Sequence, residues 1–196
     1  MRYPIHGRSL AFTIAALVLL ACMMQVMHSQ TAAEATHETS GRKGSLVEQG
    51  MTPTKKAEAL GIKFEKLEPG YLNRCVKSGK LLFTSGHTSK IKGRLGKDLK
   101  VDDGAKAARE AVIEVLRAVW NTHGTLDNLR VVKVLGCVNS DPSFVDQPKV
   151  INGGSDLLHE LFGARTDGWH ARSALGFASL PGGAAVEIEA IFEIKD

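Results

Sequence analysis

The stretch that decides the fold is His170–Asp196, HARSALGFASLPGGAAVEIEAIFEIKD. Its second half alternates Val186, Ile188, Ala190, Phe192 and Ile194 with Glu187, Glu189 and Glu193, the period-two pattern of a strand with one buried face. Pro181-Gly182-Gly183 supplies a turn, and 170–180 reads as a strand of small and apolar residues carrying one arginine. In that strand Arg172 shares a face with Ala174, Gly176, Ala178 and Leu180. Small neighbours leave room for a ligand beside the guanidinium, which holds a carboxylate through two parallel hydrogen bonds. The alternative is an ordinary ion pair between an edge arginine and Glu187 on the next strand.

Working backwards, Pro148–Phe162 contains a helix, with Leu157, Leu158, Leu161 and Phe162 apolar and Gly163 after it. Residues 129–138 are rich in Val and read as a strand. Over 104–123, Ala108, Ala111, Val112, Val115, Leu116 and Val119 recur at helical spacing, and Gly124 is a stop. Residues 72–77 and 81–85 flank Ser78-Gly79-Lys80 as a hairpin, 86–103 are a polar loop, and 62–67 form an imperfect half-buried strand. Thr52-Pro53 opens a short helix that Gly61 ends. The order predicts an α+β fold, a mixed sheet with two helices on one face, over residues 52–196.

Residues 1–30 read differently. Arg2 and Arg8 precede an apolar run, 10–27, interrupted only by Thr13 and Gln25. This is the pattern of a secretory signal. Leu19-Leu20-Ala21-Cys22 resembles a lipobox, which would lipidate Cys22; cleavage near residues 31–35 and retention as a membrane anchor are the alternatives. Residues 31–51 lack periodicity and form a linker. The expectation is an exported protein, periplasmic or secreted, that touches a membrane only through this segment.

The chain of 196 residues has a formal charge of +4, but residues 1–30 hold two Arg and no acid, so the rest carries +2. Charge therefore gives no reason to expect a nucleic acid. The basic run at 89–100, SKIKGRLGKDLK, lacks interleaved aromatics and reads as a solvated loop. No phosphate loop, CxxC, HExxH or GxSxG occurs, and no metal is expected. Gly153-Gly154 precedes helical residues without the rest of a dinucleotide fingerprint. Cys75 and Cys137 could pair in an oxidising compartment, but both lie in apolar runs and read better as packed thiols.

The hairpin GKLLFTSGH (79–87), the ARS…LP…VEIEAI signature (171–191) and Asn152 together resemble the RidA/YjgF family, also labelled L-PSP endoribonuclease-like, over about residues 60–196. VVKVLGCVNS (131–140), DQPKVINGGSDLL (146–158) and HARSALG (170–176) resemble one subgroup of it. The resemblance implies a chorismate-mutase-like fold, a homotrimer with clefts between subunits, and hydrolysis of imines or enamines of amino acids to ammonia and a 2-oxo acid. It implies that Arg172 grips the substrate carboxylate, that Glu187 positions or protonates at the reacting centre, and that Asn152 lines the cleft. No cofactor is implied. Two positions depart from the pattern: Ala174 stands where many members have Cys, and Leu72 stands at the usual cleft Tyr, with Tyr71 one residue off and so on the other face of a strand. Three readings follow: a small-molecule deaminase, a non-catalytic trimeric module binding a small carboxylate, and an endoribonuclease.

Overall fold

Residues 50–196 are described by a computed structural model, and residues from Thr52 onward form one compact unit. The expected export segment, the Cys22 lipidation site and nearly all of the linker lie outside the described residues. Among the described residues no helix is long and apolar enough to cross a membrane.

The first helix, α1 (Pro53–Ala59), starts where its cap dictates: the Thr52 hydroxyl accepts the Lys55 N–H and Pro53 occupies the first turn. After it, residues 62–67 do not form the expected strand. Their backbone groups are taken by side chains of a later helix instead. Leu67 N–H donates to Asn121 Oδ1 at 2.8 Å, Asn121 Nδ2 donates to Glu65 O at 2.9 Å, and Arg117 Nε donates to Lys63 O at 3.2 Å. With these groups committed to the helix, the segment runs as an extended strap, and Phe64 stacks on Trp120 with centroids 5.4 Å apart.

The hairpin follows as β1 (Cys75–Ser78) and β2 (Leu81–Thr84), turning at Gly79 with φ of 58°. Within the expected loop, His87–Thr88 forms a short strand, β3. Helix α2 (Val101–His123) begins three residues before the apolar stripe suggests, because the Asp103 carboxylate accepts the Lys100 N–H and closes the first turn. Then come β4 (Leu129–Asn139), α3 (Gln147–Phe162), a loose turn at Gly163–Asp167, β5 (Ala171–Phe177) and β6 (Val186–Ile194).

The sheet order is β1-β2-β6-β4-β5, with β3 on β6 beyond β2. β4 and β5 are parallel, joined by the crossover through α3; the other pairings are antiparallel. Val131, Val134, Val138, Val186, Ile188 and Phe192 face the helices, where Val112, Val115, Leu116, Leu157, Leu158 and Leu161 close the core. The architecture is therefore the expected α+β sheet, with α2 and α3 on one face and α1 as a third, short helix against α3.

Among the described residues no helix lies on the other sheet face. That face carries Val76, Phe83, Leu175 and Phe177, each 40–49% exposed, among Glu187, Glu189 and Lys133. Cys75 is buried toward the helices and Cys137 is half-buried; both are free thiols.

Candidate functional site

Arg172 projects from β5 toward α3. Its Nη1 donates to Asn152 Oδ1 at 2.9 Å and to Ser155 Oγ at 3.0 Å, and its Nη2 donates to the Pro148 carbonyl at 3.3 Å. The acceptors stand at i, i+4 and i+7 of one helix, so a single face of α3 aims the guanidinium. All three are neutral, and among the described residues no carboxylate pairs with Arg172. A guanidinium has five donors. Among the described residues Nε–H and one Nη2–H have no protein partner, and they can receive a carboxylate.

Behind this arginine runs a hydrogen-bonded relay. His170 Nδ1 lies 2.6 Å from the Gly168 carbonyl, and its Nε2 lies 3.1 Å from Ser155 Oγ. A carbonyl only accepts, so Nδ1 carries the proton and Nε2 accepts from the serine hydroxyl. Ser155 Oγ in turn accepts from Arg172. Burial, with a smaller contribution from the neighbouring His159 and Arg172 charges, holds the His170 pKa below its ordinary value, which keeps the ring neutral. His170 and Arg172 share a face because they are two residues apart at the start of a strand.

These groups open on a cleft of about 340 Å³ lined by Asn152, Ser155, Asp156, His159, Trp169, His170 and Arg172. Ala174 continues the Arg172 face. It lies opposite Gly136, whose missing side chain makes space for Ile151: a Cβ there would sit 2.5 Å from Ile151 Cδ1.

Glu187 belongs to a second cluster. Its carboxylate lies over Gly86, where a Cβ would fall 1.9 Å from Glu187 Oε1. Gly86 also lines a cleft of about 650 Å³ with Leu72, Asn73, Arg74, Ser85 and His87, so the position expected to hold Tyr presents an exposed Leu72 there. Burial, and then the charge of Glu189, raise the Glu187 pKa. Burial and both glutamates push the Cys137 thiol up to about 11, so it is not a ready nucleophile. His87 is held below its ordinary pKa, chiefly by burial, while its Nε2 bonds the Arg74 carbonyl at 3.3 Å.

Arg172 and Glu187 do not meet within one chain. β4 lies between their strands, so Glu187 is not on the strand next to Arg172. Register puts Arg172 across from Val134 and Ala190, on the helix face, and Glu187 across from Cys137 and Leu175, on the open face. Two strand spacings and three residues of offset separate their Cα atoms by roughly 14 Å. The simple cross-strand ion pair is thereby excluded. Asn152 lines the Arg172 cleft, and Ala174 shares the Arg172 face without lining it; Leu72 lines the other cleft, which Glu187 approaches through Gly86.

A family model described as "YjgF/chorismate_mutase-like, putative endoribonuclease" matches residues 44–186. The chain belongs to the YjgF/RidA family. "Protein TCP17" of Trypanosoma cruzi is 43% identical over 148 residues, 71% of this chain and 92% of that protein. The crystal structure of Atu1372 from Agrobacterium tumefaciens, a protein of unknown function, is 36% identical with a TM-score of 0.66, covering 74% of this chain and 94% of that one. A structure from Shewanella oneidensis described as a putative endoribonuclease has 25% identity and a TM-score of 0.67, covering 74% of this chain and all of that one.

Sequence reasoning did not single out Ser155, His159, Trp169 or His170 as site residues. The signals were present: Pro148, Asn152 and Ser155 are helix neighbours by spacing, and His170 alternates with Arg172. What the sequence lacked was which face of α3 meets which edge of the sheet. Among the described residues no group of three or more His, Cys, Asp or Glu is placed to hold a metal ion.

Proposed function

We propose that this protein hydrolyses 2-imino acids, or their enamine forms, to 2-oxo acids and ammonia. Its sites would be completed between copies of the chain in a homotrimer. The observation that carries the reading is the Arg172 guanidinium, held by three neutral acceptors with two donors left for a carboxylate. The opposite-face placement of Glu187 supports the second part, because its carboxylate reaches an Arg172 cleft only if a second copy supplies it. The half-apolar open sheet face is a suitable surface for that association.

In this mechanism Arg172 fixes the carboxylate and Asn152 steadies the arginine. Water adds to the imine carbon, forming a C–O bond, while the C=N π electrons pass to nitrogen, which takes a proton. Glu187 removes a proton from the water and returns one to nitrogen. The C–N bond then breaks, ammonia leaves, and loss of the hydroxyl proton gives the 2-oxo acid. A carboxyl whose pKa is raised toward neutrality suits both transfers. No step here requires a metal or an organic cofactor.

Leu72 and Ala174 favour a second reading, a trimeric module that binds small carboxylates without turnover, since neither can move a proton. One assay separates them. With 2-iminobutanoate generated in situ, the full chain accelerates ammonia release, and Arg172→Ala lowers the rate about 100-fold. Carboxylate binding without acceleration would establish the module and end the hydrolase reading. The endoribonuclease reading gains little from the 89–100 loop, where Arg94 Nη2 donates to the Ala178 carbonyl and Ser89 is buried. We also propose that residues 1–30 direct export, which the size of the protein recovered from a periplasmic or culture fraction tests.

A further inference from the structure

We propose that the Arg172 cleft selects carboxylates with a planar, unsaturated side chain, that is, 2-imino acids bearing an aromatic or conjugated group, with Trp169 and His159 as the specificity wall. This rests on the hydrolase reading of the same cleft. The wall is a row of three rings. His159 and Trp169 are stacked, with centroids 6.4 Å apart and planes 19° from parallel, and His159 sits 5.4 Å from His170 at 40°. The row ends beside Arg172, because His170 is tied through Ser155 to its Nη1. A ligand whose carboxylate takes the two free Arg172 donors therefore lies alongside ring faces.

The rest of the lining points the same way. Asn152, Ser155, Asp156 and Arg172 complete the cleft, and among the described residues no aliphatic side chain is in its walls. A branched aliphatic group would meet only polar atoms and ring faces there, whereas a flat group stacks at offset geometry. Trp169 is 66% exposed, so it has a large apolar face still to cover. Trp169 precedes β5 by two residues, and the Gly163–Asp167 turn holds its backbone: Trp169 N–H donates to the Thr166 carbonyl at 3.0 Å, while its ring rests on His159. The cleft volume of about 340 Å³ is at the small end for ligand sites, which suits one ring and its carboxylate.

Two measurements on the full chain test this. The first is kcat/KM for imines generated in situ from phenylalanine and from leucine. The second is calorimetric binding of phenylpyruvate and of 4-methyl-2-oxopentanoate, which needs no turnover. The phenyl member is expected to be favoured about tenfold in each pair. Trp169→Ala should bring both ratios within about twofold of one, and Trp169→Phe should keep most of the preference. A binding ratio near one in the unmodified protein, or one that survives Trp169→Ala, overturns the proposal. If neither imine is turned over faster but the binding ratio holds and collapses in Trp169→Ala, the selectivity stands and the hydrolase reading fails alone.

Discussion

Replacing Gly153 by Ala sets two opposed effects against each other. Gly153 is inside α3, where alanine gains about 1 kcal/mol of helix propensity over glycine. Packing opposes it. A Cβ at Gly153 would lie 2.0 Å from the backbone oxygen of Ala105 on α2, and 2.6 and 2.8 Å from its C and Cα. Ordinary contact begins at 3.4 Å, and the obstacle is helix backbone rather than the movable end of a side chain. The two helices must part, and overpacking of this kind costs typically 1–3 kcal/mol. With a rigid neighbour the upper end applies, so the net loss is about 2 kcal/mol. The midpoint of urea unfolding should fall with unchanged slope, and Tm should drop by roughly 4–8 °C. The displaced helix carries Pro148, Asn152 and Ser155, so carboxylate affinity should fall on the order of tenfold through misplacement of Arg172. A Gly153→Ala protein as stable as the parent, or more so, would show that propensity outweighs packing here and that the α2–α3 approach is not as close as described.

Arg172→Lys keeps the charge but not the fork. Carboxylate affinity should fall about 10- to 100-fold, measured by calorimetry, and a smaller loss would mean that charge alone holds the ligand. Gly86→Ala should lower ammonia release while leaving thermal stability nearly unchanged, because the atom displaced is the flexible end of Glu187 rather than backbone. His87 and His170 both titrate below the ordinary value of 6.5 in the folded chain. The unfolded chain therefore takes up protons first as pH falls. Their contribution to stability is full above about 6.5 and is lost as pH drops through the lower folded values. Urea midpoints should decline over that range, and His170→Gln should flatten part of the decline. Phe83→Asp with Phe177→Asp places charge on the open sheet face, and sedimentation should show smaller species than the parent; an unchanged mass would remove that face from the interface.

Much of the fold was readable in local pattern. The alternation from Val186 to Ile194, the apolar stripe of α2 and the Gly stops at 124 and 163 each rest on contacts within one element, and the structure repeats them. The reading failed at 62–67, where alternation promised a strand. Asn121 and Arg117, both more than fifty residues away, satisfy that backbone instead, and no local signal announces a side chain from a distant helix. The Gly153-Gly154 pair shows the same limit. It lacked the company of a nucleotide fingerprint, and its use is to let α3 approach α2.

The sequence by itself determined most of the elements and the family, because periodicity and motif are properties of neighbours along the chain. It also marked Arg172, a lone guanidinium in a strand of small and apolar residues, and the family resemblance added Glu187 and Asn152. Only the tertiary structure decided how they combine. Placing β4 between β5 and β6, and alternating side chains across the sheet, sends Arg172 to the helix face and Glu187 to the open face. Strand order and facing are set by long-range pairing, which no single segment encodes. The same pairing brings Ser155, His170 and the Trp169–His159 wall around the arginine.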